Sequence, residues 1–217
     1  MLIAALRKAA DLSCRPMFEQ RIQQHFFESA DLKYQSAEVL SRPIEDAAMA
    51  LVGGLTAGGR VLVAGLGASA NLAQMLVSAL LGCLERERPG LAALALGNET
   101  AALAALLALP AVGALDQVLA RQVETLGQPG DLLLLIDCEG DHPALLAAAQ
   151  AAQAKDMTVI ALTGRTGGAL RALLTETDVL VAVPHERKIR VLETHLLVLH
   201  CLCDAIDLQL LGEQDPP

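Results

Sequence analysis

The sequence predicts an α/β fold: a doubly wound, five-stranded parallel sheet flanked by helices. Three observations predict it. Apolar runs of five or six residues alternate with amphipathic helical stretches along the chain. These runs are apolar at every position rather than at every second one, which marks strands covered on both faces. The composition supplies a core: 53% of the 217 residues are hydrophobic and 19% charged, which excludes a disordered chain. Aromatic residues are only 2%, so Leu, Ala and Val must build that core.

In chain order, residues 17–39 carry Phe18, Ile22, Phe26 and Phe27 at helical spacing, and residues 44–57 form a second amphipathic helix closed by Gly58-Gly59. Arg60–Ala64 is the first strand, ending at Gly65, and a long helix over about Ser69–Glu85 follows. Leu91–Leu96 is the second strand, with helical sequence to about Leu126. Asp131–Ile136 is the sharpest strand, between the turn Gly127-Gln128-Pro129-Gly130 and a helix opened near Pro143. Thr158–Leu162 and Asp178–Val183 are the fourth and fifth strands, and a helix over about Lys188–Leu211 closes the chain. One domain over 17–215 is expected, with 17–57 as its helical N-terminal part and 1–16 as an extension.

Charge and cysteine narrow the function class. The net charge of −9 leaves no electrostatic footprint for nucleic-acid phosphates. The start of the chain places its basic pair after the short apolar run, the wrong order for a secretory signal. The apolar stretch Leu91–Leu115 is split at Gly97-Asn98-Glu99 and again at Pro110, so it reads as strand and helix rather than a membrane span. Five cysteines without a spacing framework fit a reducing compartment, hence a cytoplasmic protein, and Cys201 and Cys203 point to different faces of one helix.

In an open parallel sheet, ligands bind beyond the carboxyl ends of the strands. Four loops qualify. Gly65-Leu66-Gly67-Ala68-Ser69-Ala70 joins strand one to a helix start, where glycines admit a ligand and free N–H groups favour an anion; a tight turn needs the same residues. Gly97-Asn98-Glu99-Thr100 offers Asn98, as a ligand contact or as a helix cap. Asp137-Cys138-Glu139-Gly140-Asp141-His142 carries three carboxylates, suited to a cation or to a solvated helix start. Thr163-Gly164-Arg165-Thr166-Gly167-Gly168 is the fourth loop. The candidate ligand-binding residues are therefore Gly65, Gly67, Ser69, Asn98, Asp137 and Glu139. On the last helix, His195 and His200 are about 140° apart around the axis, too far to share one metal. A histidine on an apolar helix is more often a core or interface residue.

With these loops placed, the chain resembles the SIS (sugar isomerase) family. Within it the chain is similar to the phosphoheptose isomerases and to their relatives that associate with the replication initiator DnaA. The carrying segments are Glu85–Leu91, Gln122–Asp131, Met157–Gly168, Val183-Pro184 and His200–Asp207. The resemblance implies a five-stranded parallel sheet and a homotetramer built through the N-terminal helices. It also implies a first loop with Asn where Leu66 stands, and a hydroxyl-rich phosphate loop where Asp137–His142 stands. The implied metal ligands fall on Met75, Ala79, Leu192 and His200, of which only His200 is a metal-binding type. An implied catalytic Asp falls on Ile189.

A carboxylate about 5 Å from a phosphate dianion is repelled by about 6 kcal/mol at an effective dielectric of about 20. A helix N-terminus returns only about 1–2 kcal/mol. On that balance the expectation is a non-catalytic tetrameric interaction protein acting in replication initiation through DnaA, with no metal or other cofactor, no nucleic-acid contact and no membrane. Leu210 and Leu211 are its candidate contact residues, or else they simply finish the last helix's core stripe. The alternative is a phosphoheptose (sedoheptulose 7-phosphate) isomerase, or a sensor that binds a sugar derivative.

Overall fold

The computed structural model describes residues 15–109 and 115–213. Cys14, Pro110, Asp215 and nearly all of the expected extension 1–16 lie outside the described residues. The element order is α1 (Arg15–Thr56), β1 (Val61–Gly65), α2 (Ala68–Leu81), β2 (Ala93–Ala95), α3 (Thr100–Leu107) and α4 (Leu115–Leu126). There follow β3 (Leu132–Ile136), α5 (Pro143–Gln153), β4 (Thr158–Thr163), α6 (Gly168–Leu173), β5 (Val179–Ala182) and α7 (Lys188–Leu211).

The five strands form one sheet in the order β2-β1-β3-β4-β5, and every neighbouring pair is parallel. The strands are apolar throughout because helices cover both faces. Successive β3 side chains alternate between two cores. Leu132, Leu134 and Ile136 join Leu51, Leu76, Val198 and Leu202 on the face of α1, α2 and α7. Leu133 and Leu135 join Val123, Leu145 and Ala148 on the face of α4 and α5. With two aromatic-poor cores, Ala-rich α5 lies close on the sheet: Ala144, Ala148, Ala149 and Ala152 are fully buried.

The N-terminal part differs from the sequence expectation. It is one helix, α1, with Pro43 inside, rather than two helices broken near residue 40. A proline removes one helical N–H and leaves the carbonyl of Val39 without its donor. The apolar stripe Leu40, Ala47, Ala48 and Leu51 nonetheless runs through the proline on one buried face. Packing of that stripe on the sheet and α7 outweighs the local break. The second strand is shorter than expected, and the long second helix stops at Leu81 rather than near Glu85. There Arg88 substitutes for a helix cap: its guanidinium donates to the carbonyls of Ala79 and Leu80 at 3.0 and 2.8 Å.

Candidate functional site

The chain leaves β1 for β2 on one side and returns to β3 on the other, so the strand order reverses between β1 and β3. At such a reversal the two following loops diverge and leave a crevice at the carboxyl edge of the sheet. The β1 loop, residues 65–69, and the β3 loop, residues 137–142, flank it. Gly65 closes β1 against the next helix, and a Cβ there would stand 2.6 Å from the Ser69 carbonyl. Gly67 holds φ +58° as the residue before α2, and Ser69, 4% exposed, lies beside the Cys138 thiol of the β3 loop.

The three carboxylates of the β3 loop have separate tasks. Asp137 is turned into its own loop, where Oδ2 accepts from the amides of Gly140 and Asp141 at 2.8 and 3.2 Å. Asp141 accepts from the Ala169 amide at 2.7 Å and so ties this loop to the start of α6. Glu139 pairs with Lys188 Nζ at 2.8 Å, both side chains being more than half exposed. Lys188 opens α7, and its hydrogen bond and charge attraction to Glu139 raise its pKa. Burial, followed by the charge of Asp137, pushes the Cys138 thiol up, so it remains protonated at neutral pH. The cap of α5 is His142, whose Nδ1 accepts from the Ala144 amide. The fourth loop is stitched alongside, with the Gly164 amide donating to the Cys138 carbonyl at 3.0 Å.

Asn98 does not cap α3. The capping position is Glu99, without a side-chain cap bond, and Asn98 Nδ2 is a buried donor with no partner. His195 is fully buried and pins α7 to the end of β4, its Nε2 donating to the Thr163 carbonyl at 3.1 Å. Burial lowers its pKa to about 4, and its Nδ1 has no partner. His200 lies on an exposed face beside Arg86 and Asp204, away from the crevice. Leu210 and Leu211 form the last turn of α7 and are 38% and 37% exposed.

The metal positions implied by the resemblance do not fit a metal. Ala79 is packed in the core, Met75 and Leu192 are half-buried and offer no nitrogen or oxygen donor, and His200 is a single ligand. Among the described residues no group of three His, Cys, Asp or Glu side chains is placed to hold an ion.

A second cluster escaped the sequence reading. Arg190, 2% exposed, sits beneath the junction of α1 and α7. It pairs with both oxygens of Glu193 at 2.7 and 2.6 Å, with Glu28 at 3.6 Å and with His25 Nδ1. The neighbouring Arg187 donates to Glu28 at 2.8 Å. The Gln24 hydrogen bond, aided by Arg187 and Arg190, holds the Glu28 carboxyl below the usual range. Burial alone would raise the pKa of Glu193, but hydrogen bonds from Arg190 and Ser29 with the charge of Arg190 lower it. An arginine inside a helix reads as a surface residue in sequence, and only the fold brings α1 to it.

The profile of the SIS domain matches residues 24–164 of the chain. The chain belongs to the SIS-domain family. It is 57% identical over 199 residues to the phosphoheptose isomerase of Methylibium petroleiphilum, covering 92% of the chain and 98% of that protein. It is 48% identical over 195 residues to the phosphoheptose isomerase of Thiobacillus denitrificans, covering 90% and 98%. The solved phosphoheptose isomerase GmhA of Neisseria gonorrhoeae superposes with a TM-score of 0.81 at 38% identity, covering 88% of this chain and 98% of that one. The SIS fold with its five-stranded parallel sheet is as the sequence predicts.

The functional expectation is corrected. A non-catalytic protein that works through DnaA in replication initiation, and a chain that is not an enzyme, are both overturned by full-length relatives at this identity that are phosphoheptose isomerases. The expectation holds only where the carboxylates of residues 137–142 face the phosphate of a ligand. In this SIS domain, Asp137 and Asp141 accept hydrogen bonds from backbone amides, and Glu139 is paired with Lys188.

Proposed function

We propose that this chain is a phosphosugar isomerase of the phosphoheptose type, interconverting a ketose phosphate and its aldose in the crevice between the β1 and β3 loops. The observation that carries the reading is the full-length identity of 57% to a phosphoheptose isomerase. The ketose–aldose step takes a proton from the hydroxyl-bearing carbon and returns one to the neighbouring carbonyl carbon, while a second proton passes between their two oxygens, and negative charge develops on the carbonyl oxygen on the way. Glu139 is the β3-loop carboxylate not bonded to a backbone amide and serves as the base. Lys188, 2.8 Å from it, is the cation that meets the developing oxyanion. Ser69 and the amides at the start of α2 orient the sugar hydroxyls. No step runs through a metal, because the donor set does not hold one. The test is turnover of sedoheptulose 7-phosphate by wild type, Glu139→Gln and Lys188→Met, and a wild type without turnover sinks the reading.

The same reading places the enzyme in the cytoplasm, as its free thiols suit, and as a homotetramer. Among the described residues no helix is long and apolar enough to cross a membrane. Phe18, Ile22, Phe26 and Phe27 on α1 are all more than half exposed. An apolar groove of about 550 Å³, lined among others by Leu40, Ile44, Met49 and Leu197, runs between α1 and α7. A water-exposed surface of this extent supports burial against further copies of the chain. Sedimentation at micromolar concentration checks it, and a monomer contradicts it.

A further inference from the structure

The β3 loop carries no Lys or Arg, and the nearby Lys188 of α7 is paired with Glu139, so a phosphorylated sugar needs an anion site elsewhere along the carboxyl edge. We infer that the pocket at the junction of α1 and α7, walled by Arg21, Gln24, His25 and Arg187, binds a phosphate group, with Glu28 as the resident anion that the phosphate displaces. The inference rests on the isomerase reading only for the source of that phosphate.

Four observations carry it. The pocket holds about 220 Å³, small for a whole ligand but suited to one ionic group. Three guanidiniums converge there, Arg21 and Arg187 on the wall and Arg190 beneath, against the carboxylates of Glu28 and Glu193. The excess is positive in a chain whose net charge is −9. Arg190 is 2% exposed, and its Nε has no hydrogen-bond partner although it lies 3.6 Å from the Glu28 carboxylate. A buried guanidinium N–H that faces a carboxylate without bonding it is a donor waiting for a better-placed oxygen.

The position also suits the reaction. Arg187 and Lys188 are consecutive at the start of α7, Arg187 bonded toward the α1 pocket and Lys188 toward the β3 loop. An anion held at Arg187 is thereby one residue along the chain from the Glu139–Lys188 pair. A flat ion-pair cluster serves only to hold α1, and it makes the opposite claim about Glu28: removal of that carboxylate loosens the junction and improves nothing.

Binding of inorganic phosphate, of sedoheptulose 7-phosphate and of unphosphorylated sedoheptulose is measured by calorimetry for wild type, Arg21→Ala, Arg187→Ala and Glu28→Gln. Circular dichroism verifies each fold, and Arg21, exposed and outside the ion pairs among the described residues, provides the variant least able to disturb it. The expected result is weakening of both phosphate ligands by about tenfold in each arginine variant and tightening in Glu28→Gln. Binding of the sugar phosphate with that pattern identifies the substrate as the source, and binding of inorganic phosphate alone identifies the free ion. Phosphate that binds neither wild type nor Glu28→Gln, or that binds with an affinity indifferent to Arg21 and Arg187, overturns the inference. Because the readout is binding, a protein that holds phosphate without turnover leaves this site standing while the isomerase reading falls.

Discussion

The Arg88 guanidinium donates to the Asp207 carboxylate at 2.5 Å, with the two side chains 1% and 4% exposed. This contact joins the segment after α2 to the C-terminal part of α7. Arg88 also satisfies the last carbonyls of α2, so it does the work of a cap and of an ion pair at once. Removing one partner strands a buried charge. Arg88→Ala or Asp207→Ala is expected to destabilise the fold by about 3–5 kcal/mol, read as the shift in urea midpoint. The double variant to apolar residues should recover much of that loss.

His195 makes stability depend on pH in one direction. Its pKa is lowered from the ordinary 6.5 to about 4 by burial, so between these values the unfolded chain binds the proton that the folded chain refuses. Stability is complete above about pH 6.5 and falls as the pH drops toward 4, by about 3 kcal/mol over the whole window. Urea titrations at pH 7 and pH 5 check this. His195→Gln, less stable at pH 7, is expected to lose this part of the pH dependence.

Gly65 sets how closely the β1 loop approaches α2. A methyl group there meets the Ser69 carbonyl at 2.6 Å. Gly65→Ala is expected to cost about 1–3 kcal/mol and to displace Ser69 from the crevice. A thermal melt together with sugar-phosphate binding measures both effects.

Pro43 interrupts the hydrogen bonding of α1 without ending it. Pro43→Ala returns an N–H to the Val39 carbonyl. It is expected to raise stability by about 1–3 kcal/mol, readable in the same melts, with no change in fold.

Much of the fold is legible in the sequence because its signals are local. The β3 run Leu132–Ile136 is apolar at every position, and Lys188–Leu211 has helical periodicity between a proline and a glycine; both elements form within a residue of expectation. The break expected between residues 39 and 44 is absent because the stripe Leu40, Ala47, Ala48 and Leu51 packs across Pro43. The candidate site was legible as loops but not as contacts. Glu139 and Lys188, or Glu28 and Arg190, stand far apart in sequence, and no spacing rule pairs them. Glu85–Leu91 and His200–Asp207, which carry the family resemblance as separate segments, are joined in the fold by the contact of Arg88 with Asp207. The functional expectation failed for the same reason: charges counted along a loop say nothing of which amide or lysine each one faces.

On the proposed reading, the crevice between the β1 and β3 loops isomerises a phosphosugar with Glu139 as the base. The direct measurement is conversion of sedoheptulose 7-phosphate by folded, purified wild type and by Glu139→Gln, each with and without a chelator. Wild-type turnover is expected to survive the chelator and to fall by about 10²–10⁴-fold in Glu139→Gln. Absence of wild-type turnover, or turnover that the chelator abolishes while Glu139→Gln retains it, rules out Glu139 as the base of a metal-free isomerase.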